Sequence, residues 1–273
     1  MNKYKFIFGL LCIAAALCLM FALMGYAPFY APSYFFWIGV ILSLTGIVSL
    51  LKPLAFLFIF NRRIATVVVG SGLLLVVASL YWPVPTYHAP ANRKIDALLP
   101  DYSFGEYHEA LVDASPEAVK RALQSTAIRD VPVIRFLTKI RGLDDKKAVR
   151  YASKINERSD TFSTPDFNFF VIDSTEMVTV MLLNASTHVP PPPVKTLEQF
   201  RTFNKPGYIK VAINFRFIPQ RNGQTLVTTE TRNYAMTKED ACIFARYWRI
   251  IYPGSAVIRR VWLNELAKRA KNL

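Results

Sequence analysis

The stretch TKEDACIFARYWRIIYPGSAVIRRVWLNELAKRAKNL, residues 237–273, decides how the rest of the chain is read. Thr237 followed by Asp240 makes a capping-box-like helix start, with Asp in place of the usual Glu or Gln. Ala241, Phe244, Tyr247, Trp248 and Ile251 then recur at the i, i+3, i+4, i+7 spacing of one apolar helix face. Pro253 removes a backbone donor and Gly254 loosens the chain, so a break or kink is predicted there. Ser255 is placed to cap a second segment, in which Ile258, Val261, Trp262 and Leu266 continue the stripe in a new direction. The other side carries Arg246, Arg249, Arg259, Arg260, Lys268, Arg269 and Lys271. Such a helix needs a sheet to close over its apolar side.

The preceding residues supply that sheet. YSFGEYHEALVD (102–113) alternates as a strand and runs into Ser115-Pro116-Glu117, an N-cap followed by a first-turn proline. The helix after it places Val119, Ala122 and Leu123 on one face, and a second helix is expected over Val131–Arg141. Phe167–Asp173 and Met177–Asn184 read as a hairpin. Four consecutive prolines, Pro190–Pro193, form a stiff loop, read as a stiffener rather than as a partner-binding motif. A short helical turn over Leu197–Phe203 precedes two further strands, Tyr208–Ile218 and Gln224–Tyr234, joined at Asn222-Gly223.

A two-residue turn at Asn222-Gly223 sets Phe215 opposite Glu230 and Ile213 opposite Arg232. Because opposed residues share a face, Glu230 and Arg232 then point inward as a pair beside a cavity. A register shift of one residue would instead put both on the solvent face. The expected ligand-contacting residues are therefore Glu230, Arg232 and Phe215, with Tyr247 and Trp248 from the terminal helix.

The N-terminal third has a different character. Residues 1–82 hold no Asp or Glu and only five Lys or Arg; the remainder, with 28 basic and 19 acidic residues, carries +9 of the total +14. That shift marks a membrane-to-water boundary, since a charge in hydrocarbon is costly. Three transmembrane helices are expected, at about 6–26, 35–51 and 64–82, forming a membrane anchor over 1–82. Lys3 and Lys5 precede the first span, and Lys52, Arg62 and Arg63 separate the second from the third. The positive-inside rule therefore places the N-terminus in the cytoplasm and the following domain on the far side, periplasmic or extracellular in a bacterium. A re-entrant hairpin at spans two and three would reverse the domain's side. Residues 83–100, with four prolines, read as an extended linker to a domain over 101–273.

The order strand, helices, antiparallel strands, long terminal helix defines an α+β fold. With "EYHEALVDASPEAVKRAL" near its start and "TTETRNY … FARYWRIIYPGSAVIRRVWL" near its end, it resembles the helix-grip fold of the START-like, polyketide-cyclase and lipid-transfer superfamily (SRPBCC), as a bacterial membrane-anchored branch. The resemblance spans about Tyr102 to Ala270. It implies a curved antiparallel sheet around the C-terminal helix and a deep, mostly apolar cavity between them, used in that superfamily for lipids, sterols, polyketides or hydrophobic hormones. Membrane spans ahead of the domain depart from the soluble members and argue against a freely shuttling carrier.

No HExxH, G-x-S-x-G or phosphate-cradling glycine loop is present, no Cys/His spacing suits a metal, and no cofactor is expected. His88, His108 and His188 are isolated in sequence; His108 is the one on a strand, and it is read as a hydrogen-bonded structural residue. No catalytic residue is assigned, and a binding role is favoured over an enzymatic one, the weakest reading being a hydrolase or cyclase using Glu230. The expected partners are a hydrophobic small molecule or lipid and the membrane itself, with anionic headgroups near the basic helix and no nucleic acid. The leading expectation is a domain on the inner membrane that binds or senses a lipid-derived molecule. The alternative is a non-catalytic interaction or assembly module whose interior is filled by its own aromatics.

Overall fold

A computed structural model of the chain describes residues 30–89, 93–126, 161–163 and 168–273, together with residues 4, 7–9, 11, 12 and 15. The described helices are α1 (Ala31–Leu51), α2 (Arg62–Leu80), α3 (Lys94–Leu98), α4 (Pro116–Ser125), α5 (Leu197–Thr202) and α6 (Lys238–Ala270). The strands are β1 (Tyr87–His88), β2 (Asp101–Tyr102), β3 (Phe104–Val112), β4 (Thr161–Ser163), β5 (Asn168–Val171), β6 (Glu176–Asn184), β7 (Tyr208–Pro219) and β8 (Thr225–Ala235). The chain divides into two units, Met1–Pro83 with Ala245–Pro253, and Val84–Phe244 with Gly254–Leu273.

In the first unit, α1 and α2 form an antiparallel hairpin that touches through its smallest residues. Gly39, Ser43 and Gly46 are buried on α1, and Ala65, Gly72 and Ser79 on α2, the last three spaced two turns apart. A Cβ added to Gly39 would lie 2.6 Å from the carbonyl oxygen of Gly72, and one added to Gly72 would lie 2.6 Å from the nitrogen of Ser43. Backbones this close are the packing mode of helices that gain nothing from burying large apolar groups against each other. The large side chains, among them Ile41, Leu44, Leu51, Val67 and Leu74, point outward and are exposed.

Both helices are long and apolar enough to cross a membrane, with mean hydropathies of 2.1 and 2.0. Among the described residues there are two such helices, where three spans were expected; the first expected span, about 6–26, lies outside the described residues except for scattered positions. The apolar run Leu54–Phe60 does not extend α1. Lys52 is extended, as the residue before a proline is pushed to be, and Ala55–Leu57 makes a single 3₁₀ turn.

Pro253 does not break the terminal helix: α6 is helical from Lys238 to Ala270. Lacking an N–H, Pro253 leaves the Arg249 carbonyl without its usual donor four residues on. The Ser33 hydroxyl of α1 donates to that carbonyl at 2.6 Å, and the Trp37 indole N–H donates to the Ile250 carbonyl at 3.2 Å. The buried Arg249 guanidinium donates to the Leu80 and Trp82 carbonyls, each at 2.6 Å, satisfying the C-terminal end of α2.

Tyr247 and Trp248, expected to contact a ligand between the sheet and the terminal helix, lie in the segment of α6 that belongs to the first unit. Trp248 stacks on Tyr252 at 5.8 Å between ring centroids, Tyr252 packs on Tyr30 at 5.0 Å, and Tyr247 is 43% exposed.

The second unit is built on a six-stranded antiparallel sheet in the order β3-β8-β7-β6-β5-β4. Side chains alternate across it, so register assigns each residue to a face. One face meets α6: Phe104 of β3 packs on Phe244 at 5.1 Å, Phe215 of β7 packs on Trp262 at 4.9 Å, and Arg259 donates to the Thr231 hydroxyl of β8 at 2.9 Å. Phe215 and Phe217 are buried here, each contributing roughly 1.5–3 kcal/mol. The opposite face has its own core of Phe170, Val178, Leu182 and Ala212, covered by Ile95, Leu98 and Leu99 at α3 and by Phe200 of α5. The segment 83–100, expected as an extended linker, thus supplies part of a core.

Local signals are realised where they are described. Ser115 caps α4 by accepting from the Ala118 N–H at 3.3 Å, and Val119, Ala122 and Leu123 are buried along with Ala118. Thr237 caps α6, accepting from the Asp240 N–H at 3.1 Å. The Asp240 carboxylate accepts from Thr237 in return, and also from the Ser186 hydroxyl and the Gly207 N–H, tying the start of α6 to the loops on either side of α5. The helix expected over Val131–Arg141 lies outside the described residues.

Candidate functional site

The turn between β7 and β8 determines which charges meet. Gln220 and Gln224 pair, and the loop beyond them has three residues, closing on Gly223 at φ +78°. This left-handed conformation suits glycine and makes a bulged three-residue loop rather than the two-residue turn expected. The register shifts by one: Asn214 lies opposite Glu230, Ala212 opposite Arg232, and Phe215 opposite Thr229. Phe215 therefore faces α6, while Glu230 and Arg232 face the other way. The expectation that all three line one cavity is overturned. Its alternative, a solvated charge pair, fails too, because α3 and the segment around it cover that face and leave Glu230 6% and Arg232 0% exposed.

On this outer face the charges satisfy one another. Arg232 donates through Nε to Glu230 at 2.7 Å, through Nη1 to the Leu99 carbonyl at 2.9 Å and through Nη2 to Asp96, with its guanidinium 4.8 Å from the centre of the Tyr102 ring. Arg93 takes the second Glu230 oxygen at 2.6 Å, and its backbone N–H donates to Asp96 at 2.7 Å. Burial pushes the Asp96 carboxyl upward, but hydrogen bonds from Arg232 and Arg93 and their charges outweigh it and hold the group below the ordinary carboxylate value. Burial acts to lower the Arg232 pKa; the two carboxylates reverse this and raise it. The network continues through Asn214, which donates to Glu176 at 2.8 Å and accepts from the Glu230 N–H at 2.8 Å. Two cations, Arg93 and Arg232, match two anions, Asp96 and Glu230, each hydrogen-bonded. The arrangement clamps the α3 segment to the sheet.

The α6-facing side is arranged differently. Glu106 and His108, two residues apart on β3, share this face, and His108 Nε2 lies 2.6 Å from Glu106 Oε1. Their side chains are 0% and 1% exposed. Thr229 lies across from His108 and Thr231 across from Glu106. Glu106 Oε2, His108 Nδ1 and Thr229 Oγ1 are buried and have no hydrogen-bond partner among the described residues. Around them the same face presents Phe104, Phe215, Phe217 and Val227. A carboxylate that orients an imidazole through one nitrogen and leaves the other nitrogen open forms a hydrogen-bonding and proton-accepting unit.

His108 was the one histidine expected to approach the sheet interior. Glu106, Thr229 and Thr231 were passed over, although the alternation Phe104, Glu106, His108 already set an acid and an imidazole on one face. Asp96 and Arg93 carry no such signal, since they sit in a proline-rich stretch without periodicity. Among the described residues no group of three His, Cys, Asp or Glu is placed to hold a metal ion.

Three of the basic residues of α6 are engaged within the fold. Besides Arg249, Arg259 lies over the Trp262 ring at 5.6 Å, and Arg269 bonds Glu265 at 2.9 Å and the Ser125 carbonyl at the end of α4 at 2.9 Å.

No family model matches the chain, and the comparison with curated proteins finds no match either. Among solved structures, the crystal structure of the hypothetical protein jhp0584 from Helicobacter pylori is similar at 9% identity, covering 60% of this chain and 86% of that one, with a TM-score of 0.29. A likeness of that size carries no argument about fold or function, so the reading rests on the site itself.

Proposed function

We propose that this protein is a membrane-anchored domain that binds a hydrophobic, lipid-derived molecule against the α6-facing side of its sheet. The observation that carries the reading is the set of three buried polar atoms, on Glu106, His108 and Thr229, left open within an aromatic and aliphatic face. A buried polar group without a partner costs about 1–3 kcal/mol, and a bound ligand is one way to recover it. An antiparallel sheet with a long C-terminal helix is also the architecture that the START-like resemblance implies, and in that superfamily the same side of the sheet receives the ligand. Phe215 remains in this proposed site; Glu230, Arg232, Tyr247 and Trp248 leave it.

The hairpin supports the membrane part of the reading, because small residues inside and large apolar residues outside invert the pattern of a water-soluble helix pair. Lys52, Arg62 and Arg63 lie at the α1–α2 connection, whereas Tyr30, Trp82 and Tyr252 gather at the other end. A basic end and an aromatic end support a reading in which the connection lies in the cytoplasm and Pro83 on the outer side of the inner membrane. Native mass spectrometry of the full chain purified from membranes tests the reading. A co-purified lipid, and its saturable rebinding after delipidation, is the expected result; no rebinding from a native lipid extract overturns it.

The second reading is an interaction module whose interior is closed by its own side chains. The edge contacts of Phe169 with Phe215 at 5.8 Å and of Phe215 with Trp262 favour it. Phe215→Ala separates the two: it creates ligand space in a filled interior and removes a ligand contact from an open one.

A further inference from the structure

The open atoms of the α6-facing side are not a neutral assortment. His108 Nε2 is hydrogen-bonded to a carboxylate, which in the neutral ring assigns the proton to Nε2 and leaves a lone pair on Nδ1. Glu106 Oε2 is a second acceptor, and the Thr229 hydroxyl both donates and accepts. The set therefore offers two acceptors and one amphoteric hydroxyl. Arg259, the cation that α6 directs to this face, donates to Thr231 and lies over Trp262.

A ligand carboxylate or phosphate would bring acceptor oxygens against Glu106 Oε2, without a proton to offer His108. An ester would offer acceptors alone, which Thr229 can meet but His108 and Glu106 cannot. A hydroxyl fits each partner in turn, donating to His108 Nδ1 or Glu106 Oε2 and accepting from Thr229. The hydrocarbon neighbours Phe215, Phe217 and Val227 suit the rest of such a molecule. Discrimination of this kind is large, because the wrong ligand leaves buried groups unpaired.

We propose that Glu106, His108 and Thr229 form the recognition site for the hydroxyl end of an uncharged, long-chain amphiphile. The proposal rests on the binding function above and specifies its ligand class. Its test uses the delipidated full chain in detergent and three probes of equal chain length: hexadecan-1-ol, methyl hexadecanoate and hexadecanoic acid. Native mass spectrometry reads the fraction of protein retaining each.

The alcohol is expected to bind at least about tenfold more tightly than either of the others, equivalent to about 1.4 kcal/mol. In His108→Phe the alcohol falls to the level of the ester while the ester is still bound, an outcome that a purely structural histidine would not give. Equal retention of all three probes, or preference for the acid, overturns the hydroxyl proposal and leaves the broader binding function standing. Retention of none by the wild-type chain overturns both. The three-probe series on the wild-type chain decides the matter even if the variant does not fold.

Discussion

On the outer face of the sheet, Arg232 is 0% exposed and makes three hydrogen bonds, each to an acceptor that is itself held in place. On the α6-facing side of the same two strands, Glu106 and His108 are buried as deeply, yet each keeps an atom with no partner among the described residues. The two faces share strands and burial and differ in completeness. A buried charge cluster that closes on itself holds structure together; one that stays open is poised to meet something from outside the fold. That difference separates the clamp at α3 from the candidate site, and side-chain chemistry alone would not, since both contain an acid and a base.

The difference can be tested by removing polar groups from each face in turn. The largest effect is expected for Arg232→Met, which leaves Asp96 and Glu230 buried without their cation. Loss of about 3–5 kcal/mol is expected in denaturant unfolding of the full chain. A loss below about 1 kcal/mol would erase the contrast by showing that the clamp is dispensable.

Acid should act next. The folded-state pKa values of Asp96 and Asp240 are held below the ordinary carboxylate value near 3.9, at Asp240 because Ser186, Gly207 and Thr237 overcome the upward push of burial. A depressed folded pKa gives stability that is fully present above the unfolded value and is lost as pH falls through the folded one. Unfolding midpoints should therefore hold steady from neutral pH down to about 5 and fall below about 4. Asp96→Asn should cost about 1–3 kcal/mol at pH 7 and shrink the acid loss. The smallest effect, opposite in sign, belongs to Thr229→Val: with no partner among the described residues to lose, the change should be neutral or raise stability by up to about 1 kcal/mol. Thermal unfolding checks it, and a destabilisation above about 1 kcal/mol would mean that the inner face is closed after all.

What the sequence displays follows the range of the forces involved. Ser115 and Thr237 announce their helices because a cap acts over three residues. The β7–β8 hairpin is equally plain, but its register turns on one residue of loop geometry at Gly223, and that residue decides which face Glu230 and Arg232 occupy. The partner that completes Arg232 is Asp96, 136 residues away, and no local pattern points to it. Pro253 was expected to break or kink the helix by the same local logic. The group that takes its orphaned carbonyl is Ser33, 216 residues upstream.

That last contact has a consequence for the order of synthesis. A ribosome makes α1 and α2 early, but the guanidinium that satisfies the end of α2 belongs to Arg249, 169 residues after Leu80. At about 5–20 residues per second, the newborn hairpin waits roughly ten to thirty seconds with those carbonyls uncapped. The hairpin is finished only once Arg249 has been made. A nascent chain cut short anywhere before Arg249 lacks the donor that the folded protein aims at the Leu80 and Trp82 carbonyls.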